Sequence, residues 1–311
     1  MNKISLLVPS RERLNLKLTL ISSIITSVND INNVELIFGI DADDPTLEIV
    51  QKISDSIPFV KIIVIENDKK FIGINKIWNM LYPHAEGNIF GYIGDDMVFK
   101  TRNWDKKILD EFNDDNLPND KIKLVHCYDG YRDKDEISVN AFIHKKYTEI
   151  LGYMCKGEFL INWSDQWMYQ TFKAFDRVKY RRDIHIQHNH WVFGQRSKDK
   201  VAERMLSDQH DRKSDALWYE LVNERIADVK KLSTSSSNNF HIYSEIRNRK
   251  ELLCIKSYFA TQDYKKHKLI LWSDYDVTDN ELLKPFKEYI DFRIYDPVEL
   301  SKDTPVEGKI Y

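Results

Sequence analysis

Along the first hundred residues, short apolar runs alternate with amphipathic stretches. "KISLLVP" (3–9) is an unbroken apolar run closed by Pro9, the pattern of a buried strand. "LKLTLISSIITSV" (16–28) puts Leu18, Ile21, Ile25 and Val28 on one face at helical spacing. "VELIFGI" (34–40) and "VKIIVIE" (60–66) are two more buried-strand runs. Between them, "PTLEIVQKISDSI" (45–57) starts a helix at Pro45, with Asp44 as an acidic cap. "GINKIWNMLYPHA" (73–85) predicts a helix and "NIFGYIGDD" (88–96) a fourth strand. Repeated strand–helix units of this kind build a mainly parallel sheet with helices on both faces, an α/β fold.

Further on the pattern loosens. "FLINWSDQWMYQTFKAF" (159–175) reads as a strand or loop leading into a helix, capped by Ser164, with Trp167, Met168, Phe172 and Phe175 on its apolar side. "KYRR" (179–182) reads as a solvated basic turn, and "DIHIQHNHWVFG" (183–194) as a strand. A charged helix, "SDALWYELVNERIADVKKL" (214–232), precedes "STSSSNN" (233–239), which has the composition of a flexible linker. The chain therefore divides into a domain over 1–232, a linker over 233–239, and a tail over 240–311 with a β-α-β-α-β pattern.

Composition narrows the class. The chain has 311 residues, 42% hydrophobic and 31% charged, with a net charge of −3. That supports a packed core and gives no basic footprint for long nucleic acid. No apolar run approaches the roughly 20 residues of a membrane span, and the start lacks a signal-peptide pattern, so the expected location is cytoplasmic. Cys127, Cys155 and Cys254 are too far apart for a disulfide framework or a zinc site and are expected to be buried free thiols.

Ligands of open α/β sheets gather beyond the carboxyl ends of the strands. Here those ends carry Ser10-Arg11, Asp41 and Asp95-Asp96. Two adjacent acids closing a buried strand repel each other without a cation between them and a ligand. Such a pair holds a hard divalent metal against phosphate oxygens. Polymerases and enzymes that move sugars from nucleotide diphosphates both use that chemistry. Arg11 and Arg13, just past the first strand, are placed to reach phosphates or a base edge, or simply face solvent.

The ordered set "VPSRER", "GIDADDPT" and "GINKIWNMLYPHAEGNIFGYIGDD" resembles the family 2 type of GT-A glycosyltransferases, over roughly residues 1 to 200. The resemblance implies a GT-A fold and transfer of a sugar from a nucleotide-diphosphate donor, a UDP-sugar first among them, to a glycan or other hydroxyl acceptor. It implies donor contacts from Pro9, Ser10, Arg11, Arg13, Asp41, Gly73, Asn79 and Asp95. It also implies Mn²⁺ or Mg²⁺ held by Asp96. The sequence reads Gly94-Asp95-Asp96 where the family has a DxD, which leaves the division of labour within the pair open.

The family places a general base where Asp165 stands here, and the expected outcome is inversion; Asp176 is the neighbouring alternative. A late histidine often joins the metal in GT-A enzymes. Alternation along 183–194 puts His188 and His190 on one strand face and His185 on the other, making the first two the candidates. The tail resembles the opening of a second GT-A domain, of the type in capsular polysaccharide transferases. Two other classes stay open: a nucleotidyltransferase or polymerase-type enzyme built on the acid pair, and a GT-A fold kept as a non-catalytic carbohydrate-binding module. "VPSRER" lacks the glycines of a nucleotidyltransferase phosphate loop.

Overall fold

A computed structural model describes residues 2–66, 72–113, 120–131, 137–203, 213–235, 242–246, 269–273 and 284–294. Two compact units emerge, one of residues 1–173 and 177–236, the other of 174–176 and 237–311. The first unit opens with β1 (Ile4–Ser10), α1 (Leu14–Ser27), β2 (Val34–Asp41), α2 (Leu47–Ser56), β3 (Val60–Ile65), α3 (Ile74–Leu81) and β4 (Ile89–Tyr92). It continues through β5 (Met97–Phe99), α4 (Trp104–Asn113), β6 (Leu124–Tyr128), β7 (Ala141–His144), α5 (Lys146–Leu151), α6 (Ser164–Lys173) and β8 (Val178–His188). Two further helices, α7 (Lys213–Glu220) and α8 (Val222–Thr234), follow.

The expected α/β architecture is present. The sheet runs β3-β2-β1-β4-β7-β6-β8-β5. β1 pairs in parallel with β2 and β4, β2 with β3, and β6 with β8. Only β7 and β5 run against their neighbours. The reversal of strand order beside β1 brings the carboxyl ends of β1, β2 and β4 together, which is where a ligand crevice opens in such sheets. Beneath it the core is continuous: Leu6, Val8, Phe38, Ile40, Ile93 and Phe142 are fully buried. Trp104 lies among them against Phe99, ring centres 4.3 Å apart.

At the opposite, amino end of the sheet, buried Glu35 accepts hydrogen bonds from Ser5 Oγ (2.5 Å), Glu86 N (2.7 Å) and Gly87 N (3.0 Å). Lys61 Nζ balances its charge at 2.7 Å. This carboxylate fixes the Ala85-Glu86-Gly87 turn that feeds β4 and so sets where the acid pair emerges.

Several elements differ from the sequence expectation. β4 stops at Tyr92, and residues 93–96 turn before the chain resumes as β5, with Met97 N donating to Gly94 O at 3.3 Å. "KYRR" is strand, not turn. Arg181 leaves solvent to pair with Glu111 at 2.7 Å and with Asp183, and the β6–β8 register slips there in a bulge. β8 ends at His188 and a single 3₁₀ turn covers Trp191–Phe193, so His190 lies beyond the strand. The expected 214–232 helix is two helices, and the second takes in Ser233, which is buried, and Thr234.

In the second unit, β9 (Ile242–Ile246), β10 (Leu269–Ser273) and β11 (Ile290–Ile294) form a parallel sheet in the order β11-β10-β9. Lys284–Tyr289 is a 3₁₀ helix. The helix expected at 250–262 and Cys254 lie outside the described residues. Cys127 and Cys155 are buried free thiols, and burial pushes both thiols up.

Candidate active site

The site is built on the turn after β4. Asp95 and Asp96 are 4% and 7% exposed, two carboxylates taken almost wholly out of water. A Cβ at Gly94 would stand 2.9 Å from Asp96 Oδ1, so a side chain there would displace the second carboxylate. This gives the Gly-Asp-Asp spelling a steric cause: the second carboxylate folds back over the first residue of the triplet.

Each acid has its own partners. Ser10 Oγ, at the end of β1, donates to Asp95 Oδ2 at 2.6 Å, and Arg13 Nη1 reaches Asp95 Oδ1 at 3.2 Å. Asp96 Oδ1 faces His188 Nε2 at 3.3 Å, and Asp96 Oδ2 faces Arg196 Nη2 at 3.4 Å. Asn189 N donates to the Asp96 carbonyl at 2.9 Å, which stitches the end of β8 to the turn. Burial pushes the Asp95 carboxyl up, against the pull of Arg13. Burial opposes ionisation of Asp96 as well, but His188, Arg13 and Arg196 win and bring it down to about 2. The two acids are thus pushed apart, the first toward the protonated form and the second held as a carboxylate.

The loop between β1 and α1 is strained in order to aim its arginines. Glu12 and Arg13 both have left-handed backbones (φ 57° and 42°), each costing on the order of 1–3 kcal/mol in a residue with a side chain. The Glu12 peptide is gripped from both sides: its N–H donates to Asp44 Oδ2 at 2.7 Å, and Lys17 Nζ donates to its carbonyl. Lys17 is fully buried, and burial lowers its pKa, opposed first by Asp44. Asp44 also accepts from Thr46 N at 2.7 Å; α2 begins at Leu47 with Thr46 at its N-cap, two residues later than the expected start at Pro45 capped by Asp44. Held this way, Arg11 pairs with Asp41 (2.7 Å) and Asp43 (2.5 Å). Arg13 points the other way, to the acid pair.

Of the residues expected at the site, Ser10, Arg13, Asp95, Asp96 and His188 converge. Arg11 and Asp41 form their own pair at the end of β2. Pro9 sits within β1, in register with Gly39. His190 is beside His188, ring centres 5.0 Å apart, and its Nδ1 accepts from Val192 N at 3.3 Å. Gly73 and Asn79 make contacts of their own with the chain leading to α6. Gly73 (φ 92°) lets the chain touch Leu160, whose carbonyl a Cβ would meet at 2.9 Å. Asn79 accepts from Met154 N (2.8 Å) and Cys155 N (2.9 Å) and donates to Cys155 O (2.7 Å). Both hold the chain that leads to α6.

Asp165 stands in the first turn of α6, half-buried, its Oδ1 accepting from Gln166 N at 2.8 Å. Ser164 is buried, and its Oγ makes no capping bond. The residue before it, Trp163, has φ 74° and stacks on Trp218 with ring centres 4.6 Å apart. Tyr92, the last residue of β4, is pushed up by burial and, after that, by the charge of Asp165. Asp176 falls in the connection from α6 to β8 and is exposed.

Two site-lining residues had no expectation attached: Arg196 and Asp199. Arg13 grips Asp199 with Nε (2.9 Å) and Nη2 (3.0 Å), and Arg196 Nη1 reaches the same carboxylate at 2.7 Å. The signal was the charged run Arg196–Lys200 just past the histidine segment. Among the described residues, no three histidine, cysteine or acidic side chains group as a complete metal site.

A doubly wound sheet with acids and guanidinium groups at the carboxyl ends of β1, β2 and β4 defines a nucleotide-binding α/β protein. The chain belongs to glycosyl transferase family 2, whose model matches residues 5–196. Solved structures similar to it include S. aureus TarS 1–349, at 16% identity and TM-score 0.47, covering 62% of this chain and 63% of that one. A longer S. aureus TarS structure matches at 15% identity and TM-score 0.47, over 60% of this chain and 36% of its own. The mannosyltransferase PcManGT from Pyrobaculum calidifontis, in complex with GDP-Man and Mn²⁺, matches at 14% identity and TM-score 0.49, over 75% and 73%. Curated protein sequences give no match. No helix among the described residues is long and apolar enough to cross a membrane.

Proposed function

We propose that the first unit transfers a sugar from a nucleoside-diphosphate donor to an acceptor hydroxyl, with inversion. The observation that carries this reading is the convergence of Ser10, Arg13 and His188 on Asp95-Asp96. Asp96 and His188 suit a divalent cation, Mn²⁺ or Mg²⁺. The two side chains lie 3.3 Å apart and would together hold the ion. Substrate phosphates and water complete its shell, so two protein ligands suffice. When bound, the ion neutralises charge on the departing diphosphate.

The chain's own residues do the rest. Arg13 and Arg196 offer guanidinium forks to phosphate oxygens. Asp95, held by Ser10, accepts from a ribose hydroxyl or a metal-bound water, and Asp41 with Arg11 lies toward the base. Asp165 takes the proton from the acceptor hydroxyl as its oxygen attacks the anomeric carbon from the face opposite the leaving group. Residues 240–311 are a separate half-sheet, a reading supported by the parallel β9–β10–β11 pairing.

The test is a panel of UDP-, GDP-, dTDP- and CMP-sugars, read by thermal shift with and without Mn²⁺, on the wild type and on Asp96→Asn. Ligand at a hundred times its Kd adds about 2.7 kcal/mol to folding. One donor should raise the melting point in a Mn²⁺-dependent way, and Asp96→Asn should lose the Mn²⁺ dependence. If no donor shifts the wild type, the reading is wrong.

A further inference from the structure

Asp199 is the one acid at the site shared by two arginines, and it stands where neither the sheet nor the acid pair requires it. Its carboxylate takes three guanidinium bonds, from Arg13 Nε, Arg13 Nη2 and Arg196 Nη1, at 2.9, 3.0 and 2.7 Å. The same arginines reach the acid pair only at 3.2 Å (Arg13 to Asp95) and 3.4 Å (Arg196 to Asp96). The shorter contacts go to Asp199, so it holds the guanidinium forks more closely than Asp95 and Asp96 do. It is also the partner that can leave: its side chain is 32% exposed, against 5% and 8% for Asp95 and Asp96. A groove of about 430 Å³ opens here, lined by Arg13, Asn15, Arg196, Asp199 and Lys200 among others.

We infer that Asp199 is an internal anion occupying the arginine pair that receives the donor's diphosphate, a latch that the diphosphate must displace. This rests on the transferase reading above for the identity of the ligand, though not for the chemistry of the latch. A carboxylate and a phosphate present the same oxygen geometry to a guanidinium fork, so the two compete for Arg13 and Arg196. Asp199 also caps the helical turn starting at Lys200, accepting from Ala202 N at 2.7 Å, and Glu203 N donates to its carbonyl at 2.9 Å. The bond from Glu203 N to its carbonyl does not involve the side chain, so the backbone of the turn stays held when the carboxylate leaves the arginines. The latch makes the segment 196–203 move with donor binding.

Asp199→Asn and Asp199→Ser separate the latch from the cap, since asparagine and serine cap a helix about as well as aspartate while carrying no charge. A latch closed nine times in ten weakens the apparent affinity of a competing anion about tenfold. Isothermal titration with inorganic pyrophosphate should therefore show both variants binding roughly tenfold tighter than the wild type, with melting points nearly unchanged. Arg196→Ala should abolish the gain. Pyrophosphate affinity that is unchanged, weaker or undetectable in the Asp199 variants would overturn the latch. If pyrophosphate tightens as expected while no nucleotide sugar binds any form, the latch stands and the transferase reading falls.

Discussion

Ser10 Oγ donates to Asp95 Oδ2 at 2.6 Å, tying the end of β1 to the turn after β4. It is one of two bonds offered to a carboxylate that burial drives toward protonation, the other coming from Arg13. A hydrogen bond to a charged group is worth about 1.5–3 kcal/mol, or roughly 10- to 100-fold in an equilibrium. Ser10→Ala should weaken nucleotide-sugar affinity by about that factor, and more at lower pH, because Asp95 then takes up its proton sooner. Ser10→Thr should restore most of the loss. Titration calorimetry at two pH values checks this. Equal affinity in Ser10→Ala would mean that the charge on Asp95 is not used for the donor.

His144 gives a pH dependence at the other end of the sheet. It ends β7, and its Nδ1 accepts from Lys146 N at 3.2 Å, a bond that needs the ring unprotonated. Burial, and then Lys121, Lys146 and Lys145, lower its pKa to about 4. The unfolded chain takes up that proton near pH 6.5, so stability is full above that value and falls as pH drops toward 4. The slope is at most about 1.4 kcal/mol per pH unit. His144→Asn keeps an acceptor for Lys146 N and does not titrate. Its melting temperature should fall less steeply between pH 6.5 and 4 than that of the wild type, and parallel curves would contradict the assignment.

The first strands were readable because apolar run and burial agree there: β1, β2 and β3 are nearly as the runs of Ile, Leu and Val indicate. The face of α1 was not: Leu18 and Ile25 of the expected stripe are 43% and 50% exposed, and the helix buries Leu20 and Ile24 along with Ile21. The strand boundaries that shifted did so for tertiary reasons. Gly94 and the Asp96 carboxylate bend the end of β4, and Glu111 draws "KYRR" into β8. β8 ends at His188, whose N–H donates to Asp129 O at 2.9 Å just past β6.

The site divides in the same way. Ser10, Asp41, Asp95 and Asp96 could be named from the sequence because each sits where an apolar run ends. Arg196 and Asp199 come a hundred residues later, and only the folded chain brings them to Arg13. Gly73 and Asn79 matched a motif, yet their observed bonds tie α3 to Leu160, Met154 and Cys155, which position the approach to α6. Asn79 is half-buried, and three of its hydrogen-bonding sites are taken by backbone groups.

The proton acceptor offers the sharpest remaining test. Asp165 stands in the first turn of α6, and its proposed use as a base rests on its position. Position is what the surroundings supply. Trp163, with a left-handed backbone and stacked on Trp218, and the loop held by Asn79 fix the start of the helix. Asp165→Asn keeps size and first-turn polarity but cannot accept the acceptor's proton. Transfer should drop 10²- to 10⁴-fold while donor affinity, which rests on Asp41, Asp95 and Arg13, stays nearly unchanged. Single-turnover transfer rates alongside donor titrations separate the two quantities. Loss of donor affinity would give Asp165 a structural role. Transfer surviving in Asp165→Asn but lost in Asp176→Asn would move the base to the α6–β8 connection.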